Sequence, residues 1–202
     1  TAQDWPALVS EAFAGGVPLA SCGWYFRSSG KLFDYATQGV VCAEAEVDAL
    51  TGECCVRRVD ILMDQGTPLN PLVDLGQVEG ALLMSLGFFL TEEVIFGPNG
   101  DQLTLGAWEY KPPAAHDIPI ALHVRFEKKV PNPSPSAVLG SKASGEPAMA
   151  CGAACMFAVR DAIRAVCVES GGELQTEAFE LPLTVERIQR ACGVSAADFV
   201  LK

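Results

Sequence analysis

The chain has 202 residues, half of them hydrophobic, which allows one domain or two small lobes with a sizeable core and excludes a disordered polymer. Fourteen Lys and Arg against 25 Asp and Glu give a formal net charge of -11, and the bases are scattered, so a phosphate backbone would be repelled and nucleic acid is not an expected partner. The opening Thr1-Ala2-Gln3-Asp4-Trp5 has neither an initiator Met nor the layout of a signal peptide, so an interior start is expected.

In chain order, Asp4 can cap a short amphipathic helix opened by Trp5-Pro6, with Leu8, Val9 and Phe13 on one face and Gly15-Gly16 as its stop. From Gly39 to Asp48 the residues alternate, Val41, Ala43, Ala45 and Val47 against Cys42, Glu44, Glu46 and Asp48, which predicts a half-buried strand. A turn at residues 49 to 53 and a second strand from Cys54 to Met63 complete a β-hairpin. Asp74-Leu75-Gly76-Gln77 has the spacing of a capping box and predicts a helix from near Leu75 to Leu90, with Glu92-Glu93 as its solvated end. Phe96 and Pro98-Asn99-Gly100-Asp101 give a strand end and a turn, and Ala121 to Lys129 reads as a strand. Pro131, Pro133 and Pro135 stiffen the next loop, which runs to Gly145-Glu146-Pro147 at the mouth of a helix ended by Gly171-Gly172. Thr184 caps a last helix, Val185 to about Cys192, stopped by Gly193. The irregular order of strands and helices predicts an α+β fold, with mixed, largely antiparallel sheets and packed helices.

Eight cysteines, at 22, 42, 54, 55, 151, 155, 167 and 192, include no C-x-x-C pair, so buried reduced thiols and a cytosolic chain are expected rather than a disulfide framework or metal site. The helix around 147 to 168 is apolar enough to raise the membrane question, but Arg160, Asp161 and Arg164 interrupt it, and no membrane partner is expected. His116 and His123 stand apart from any triad or metal spacing, and phosphate-binding glycine fingerprints are missing.

Two residues could carry chemistry. Glu146 would stand where unpaired N-H groups and a helix dipole favour its ionised form while burial opposes it, the balance a general base needs. By its local sequence alone it reads as a simple helix-start acid. Ser141, Ser144 and Gly145 beside it make a loop whose N-H groups can approach an anionic ligand. Gln77 could either cap its own helix or reach a polar cofactor.

Taken together, Val47-Asp48 with Leu50-Thr51-Gly52, Met63-Asp64-Gln65-Gly66 with Leu69-Asn70-Pro71, Asp74 to Ala81, Gly87 to Glu93, Tyr110-Lys111-Pro112 and Ser141 to Pro147 resemble the molybdenum hydroxylases, the aldehyde oxidase and xanthine dehydrogenase family. The likeness covers nearly the whole chain as the C-terminal part of the molybdopterin-binding domain. Within it, Ser141 to Pro147, Trp108 to Lys111 and the tail Phe179 to Pro182 with Ala191-Cys192-Gly193 look closer to plant-type aldehyde oxidases than to xanthine dehydrogenases.

The resemblance implies that Glu146 is the active-site base, that Gln77 contacts the molybdopterin, and that Ser144-Gly145 is cofactor-lining backbone. It implies oxidation of an aldehyde to an acid, or hydroxylation of an N-heterocycle, with oxygen from water and electrons leaving through 2Fe-2S clusters to FAD. Xanthine dehydrogenase chemistry on hypoxanthine and xanthine is one alternative, and a non-catalytic structural or interaction segment is another. The iron-sulfur motifs, the FAD domain and the first part of the molybdenum domain do not occur in these 202 residues. The chain alone is therefore expected to be inactive, with the remainder of a molybdenum hydroxylase as its partner and a homodimer as the full assembly. Leu83-Met84-Ser85-Leu86 and Ala148-Met149-Ala150 depart from the family's usual residues, which bears on packing beside the cofactor.

Overall fold

The computed structural model describes residues 4–24, 33–127, 130–172 and 179–194. The chain divides into two compact units, Thr1–Asp34 and Tyr35–Lys202. In the first, α1 (Trp5–Ala14) carries Pro6 in its opening turn, where a missing N-H costs nothing. The Asp4 side chain makes no capping hydrogen bond, contrary to the sequence expectation, and no residue of α1 is buried.

The second unit is built on the predicted hairpin. β1 (Gly39–Val47) and β2 (Cys54–Met63) pair antiparallel, Gly39 opposite Met63 and Val47 opposite Cys54. Asp48 Oδ1 closes the turn by accepting from the Leu50 and Thr51 amides at 2.8 and 3.2 Å. Alternation holds along β1, but β2 changes phase: the register shifts opposite Glu44 and Ala45, leaving Arg57 as an extra residue. Val56 is therefore buried before the bulge, and Val59, Ile61 and Met63 after it. The third strand, β3 (Ala121–Phe126), lies parallel to β2, Arg58 opposite Ala121 and Met63 opposite Phe126. The sheet is thus mixed, in the order β1-β2-β3, with the antiparallel pairing the longer, as the α+β expectation requires. β3 stops at Phe126 rather than Lys129, and residues 128–129 lie outside the described residues.

The helix expected from Leu75 begins earlier. In α2 (Pro71–Leu86) Asn70 is the cap, its Oδ1 accepting from Leu72 N at 3.2 Å, with Pro71 at the first position. Asp74 is merely an acid of the first turn. A π-helical turn, Gly87–Thr91, extends α2, and Leu183 N donates to Phe89 O at 2.7 Å. Glu92 and Glu93 are consequently held rather than solvated: Glu92 accepts from the Tyr110 hydroxyl of the short α3 (Ala107–Tyr110) at 2.9 Å, and Glu93 pairs with Arg187 at 2.6 Å. Phe96 and Gln102 bridge across the predicted turn.

The helix expected from Pro147 is two helices, α4 (Gly145–Met149) and α5 (Gly152–Glu169), broken at Ala150-Cys151. Of the described residues, only Pro71–Thr91 is now long and apolar enough to cross a membrane, at 21 residues and mean hydropathy 1.3, rather than 147 to 168. Its Val78, Ala81, Leu82 and Leu86 belong to the core. α6 (Val185–Ala191) starts on Thr184, whose hydroxyl accepts from Arg187 N, and ends before Gly193 at φ 68°, both as predicted.

One core joins Val59, Ile61 and Met63 of β2, Val78, Leu82 and Leu86 of α2, Cys155, Val159 and Ile163 of α5, and Ile188 of α6. Each such side chain contributes about 1.5–3 kcal/mol on full burial. Where α2 meets α5, a Cβ on Gly152 would lie 2.1 Å from Ser85 Oγ, and that buried hydroxyl donates to Leu82 O at 2.7 Å. The unusual Ser85 is therefore accommodated by a glycine facing it. Gly152→Ala should destabilise the fold by about 1–3 kcal/mol, read as a lower midpoint in thermal unfolding of the full-length protein, whereas Gly76→Ala, with open space at its Cβ, should not.

All eight cysteines are free, but only Cys151, Cys155, Cys167 and Cys192 are buried. Cys42 and Cys55 fall on the outward phase of their strands, and Cys22 is exposed, which corrects the expectation of buried thiols throughout. Burial, with the neighbouring Cys151 adding to it, pushes the Cys155 thiol up to about 12. The folded state thus favours its neutral form. Its contribution to stability is complete below the ordinary thiol value of 9 and is lost as pH rises from there toward 12. In native alkylation at pH 8, Cys155 should remain unmodified while Cys42 and Cys55 react; mass spectrometry of the peptides distinguishes them.

Candidate active site

The loop leading to Glu146 is fastened to the end of β2. Beyond Met63 the chain turns sharply, Asp64 Oδ1 accepting from Gly66 N at 2.9 Å, with Gly66 at φ 62°. Gly66 and Ser141 form an isolated antiparallel bridge, and Thr67 N and Asn132 N both donate to Gly140 O. Asn132 Nδ2 donates to Ser141 O at 2.7 Å, and its Oδ1 accepts from Ser134 N at 2.9 Å, so the proline-rich stretch is rigid through side-chain bonds as well as proline. Lys142 N donates to Gln65 O, and the Lys142 ammonium pairs with Asp64.

α4 then starts at Gly145, two residues before the predicted position. Ser144 stands at the cap, its hydroxyl making no capping bond, and Glu146 is itself helical, with Pro147 following in the first turn. The usual bias of a pre-proline residue away from helix is overridden because α4 packs against α2. Because α4 has five residues and α5 begins only at Gly152, the positive end facing Glu146 belongs to a short helix and not to the eighteen-residue one. The Glu146 carboxylate is exposed, so the enclosure expected for a base is not built by the described residues.

Gln77 lies well inside α2 and is exposed. With Asn70 as cap, the capping role for Gln77 disappears. Its Oε1 is 3.0 Å from where a Cβ on Gly145 would sit, so the amide lies close against the bare backbone of residue 145 and would have to shift slightly to admit a side chain there. The structure therefore brings Gln77, Gly145 and Glu146 to one place, with half-buried Ser144 beside them. This is a bare backbone flanked by an amide and a carboxylate, an arrangement suited to a polar cofactor on one side and a proton acceptor on the other.

A cavity of about 600 Å³, lined by Glu46, Asp48, Cys54, Thr91, His116 and Asp117 among others, lies elsewhere and includes none of these residues. A smaller one of about 170 Å³ touches Pro147 alongside Gln38, Met63 and Cys151. Among the described residues no group of three or more His, Cys, Asp or Glu could hold a metal ion. His123 pairs with Asp60 at 3.2 Å on the exposed sheet face. Sequence reasoning assigned no role to Asp64, Gly66 or Lys142. The available signal was an acid immediately after a strand and a lone Lys within a Gly and Ser loop.

A mixed sheet is packed against α2 and α5, and Gln77 of α2 faces Gly145 of α4, the residue before Glu146. The chain belongs to the molybdopterin cofactor-binding domain family, matching its description over residues 1–119. It is 39% identical over 200 residues to xanthine dehydrogenase/oxidase of Mus musculus, covering 94% of this chain and 15% of that protein. With aldehyde oxidase 1 of Cavia porcellus it is 38% identical over 198 residues, covering 93% and 15% respectively. Among solved structures it resembles quinoline 2-oxidoreductase from Pseudomonas putida 86, with a TM-score of 0.60 and 31% identity over 73% of this chain and 17% of that one. The chain thus spans about 15% of the length of these curated relatives.

Proposed function

We propose that this chain supplies the proton-accepting edge of a molybdenum hydroxylase that oxidises aldehydes to carboxylic acids or hydroxylates N-heterocycles with oxygen from water. The observation that carries the reading is the meeting of Gln77, Gly145 and Glu146, together with membership of the cofactor-binding family. The residues fit the cofactor: Gly145 leaves space that a Cβ would fill, and the exposed Gln77 amide can both donate and accept. Gln77 and the Ser144-Gly145 backbone would hold the molybdenum-molybdopterin group, which supplies the two-electron redox chemistry when bound. Glu146 accepts a proton at a carboxylate oxygen as the new carbon-oxygen bond forms, its backbone held in the first turn of α4. The 2Fe-2S clusters and FAD that would carry electrons away belong to the remainder of such a polypeptide, which acts as a cytosolic homodimer in this reading.

Action on hypoxanthine and xanthine is a second reading, supported by the 39% identity to xanthine dehydrogenase/oxidase, which stands level with the 38% identity to aldehyde oxidase 1. The test is to purify the full-length protein, measure molybdenum and pterin, and offer an aromatic aldehyde, an N-heterocycle and xanthine in 18O-labelled water. Bound metal and labelled product are expected, and the preferred compound chooses between the readings. A protein with neither molybdenum nor pterin, or product oxygen drawn from O2, would overturn the proposal in favour of a structural segment.

A further inference from the structure

We infer that Lys142 is a positioning residue: its buried ion pair with Asp64 clasps the Glu146 loop to the end of β2 and so fixes where the carboxylate stands. The inference rests on the reading of Glu146 as a base. The Lys142 and Asp64 side chains are only 4% and 9% exposed. A lysine so enclosed in a folded protein is almost always paired, and here every direction of the ammonium that the structure describes is internal. It pairs with Asp64 Oδ2 and donates to Ala36 O at 2.9 Å. The other Asp64 oxygen holds Gly66 N at 2.9 Å.

The backbone repeats the attachment. Ser141 bridges Gly66, Lys142 N donates to Gln65 O at 3.1 Å, and Ala143 N donates to the Tyr35 hydroxyl at 3.2 Å. Three consecutive residues are thereby tied to residues 35, 36 and 64 to 66, immediately before α4 carries Glu146. Because removing charge from water is costly, a buried pair is weak evidence of added stability, but separating its partners leaves an uncompensated buried charge, which opposes displacement of the loop that carries Lys142. Proton transfer needs that restriction, since a displacement of about 1 Å can cost about 100-fold in rate. At 4% exposure the Lys142 side chain is not presented to a ligand, which distinguishes a clasp from a substrate-binding cation.

The test uses the full-length enzyme with its cofactor and the variants Lys142→Met, Lys142→Arg and Tyr35→Phe. Lys142→Met should lower kcat roughly 10- to 100-fold with KM and molybdenum-pterin content within about twofold of wild type. Amide hydrogen exchange in the segment 137–147 should accelerate at least about tenfold while that of α5 is unchanged, a readout independent of turnover. Lys142→Arg keeps the charge and should recover most of the rate, and Tyr35→Phe should loosen the same segment to a smaller degree. If Lys142→Met does not accumulate as folded protein, Tyr35→Phe and Lys142→Arg carry the comparison. Unchanged exchange in Tyr35→Phe, or unchanged exchange and kcat in Lys142→Met, overturns the clasp, as does a rate that falls only in proportion to lost cofactor. Glu146→Gln measured alongside separates the two ideas: full activity there overturns the base reading, while the exchange data still report on the clasp.

Discussion

Glu146→Gln in the full-length protein is expected to reduce kcat by about 100- to 10,000-fold with cofactor content unchanged. The amide has the size and shape of the carboxylate but cannot accept a proton, so the loss should fall on the chemical step and leave KM within about threefold. The surrounding structure makes this a clean experiment. Glu146 is exposed, lies in the first turn of a five-residue helix, and contributes nothing to the buried core, so its replacement should leave the melting temperature essentially unaltered. A helix-start acid with no catalytic role predicts the reverse: a slight change in stability and near-normal turnover. Steady-state kinetics together with molybdenum analysis decide between them, and near-normal turnover would end the assignment.

Gly66→Ala should produce the largest effect on structure near the site. Gly66 has φ 62°, and a Cβ there would lie 2.4 Å from Gly140 O and 3.1 Å from the Lys142 side chain. The left-handed conformation costs an L-residue about 1–2 kcal/mol, and the backbone collision adds about 1–3 kcal/mol in whatever must move. Neither neighbour can yield easily, because Gly140 O already accepts from Thr67 N and Asn132 N. The expected result is a destabilisation of about 2–5 kcal/mol, with increased hydrogen exchange across residues 137–147. By contrast Gly100→Ala, also at positive φ but with open space at its Cβ, should cost only the conformational term. Equal melting temperatures for Gly66→Ala and wild type would refute the close docking of the two segments.

The parts of the fold legible in advance were those decided by short-range rules. The alternation in residues 39 to 48 gave β1, Thr184 and Gly193 bounded α6, and Gly171 ended α5. Helix starts were misplaced where two local signals competed. Asp74 and Gln77 imitate a capping box, but Asn70-Pro71 offers a cap and a first-position proline one turn earlier, and packing of the added turn selects it. At Pro147 the local rule was overridden by α4 docking on α2. The Arg57 bulge was visible as two consecutive outward residues in β2, but its consequence, a change of buried phase, requires the partner strand.

For the site, residue identities were legible and their arrangement was not. Glu146, Ser144 and Gly145 are neighbours in the chain, whereas the approach of Gln77 to Gly145 depends on how two helices pack. The Asp64 to Lys142 pair spans 78 positions, and no periodicity or capping rule reaches across that distance.

The sequence by itself thus determined the hairpin, the proline-stiffened loop and the set of polar residues available for chemistry, because each follows from backbone preferences and neighbours within a turn or two. Only the tertiary structure decided that β3 runs parallel to β2, that the long C-terminal helix breaks before α5, and that four of the eight thiols are buried. It also decided that a lysine is enclosed against Asp64 beneath the Glu146 loop. Those outcomes depend on which surfaces exclude water together, and that is a property of contacts between segments far apart in the chain.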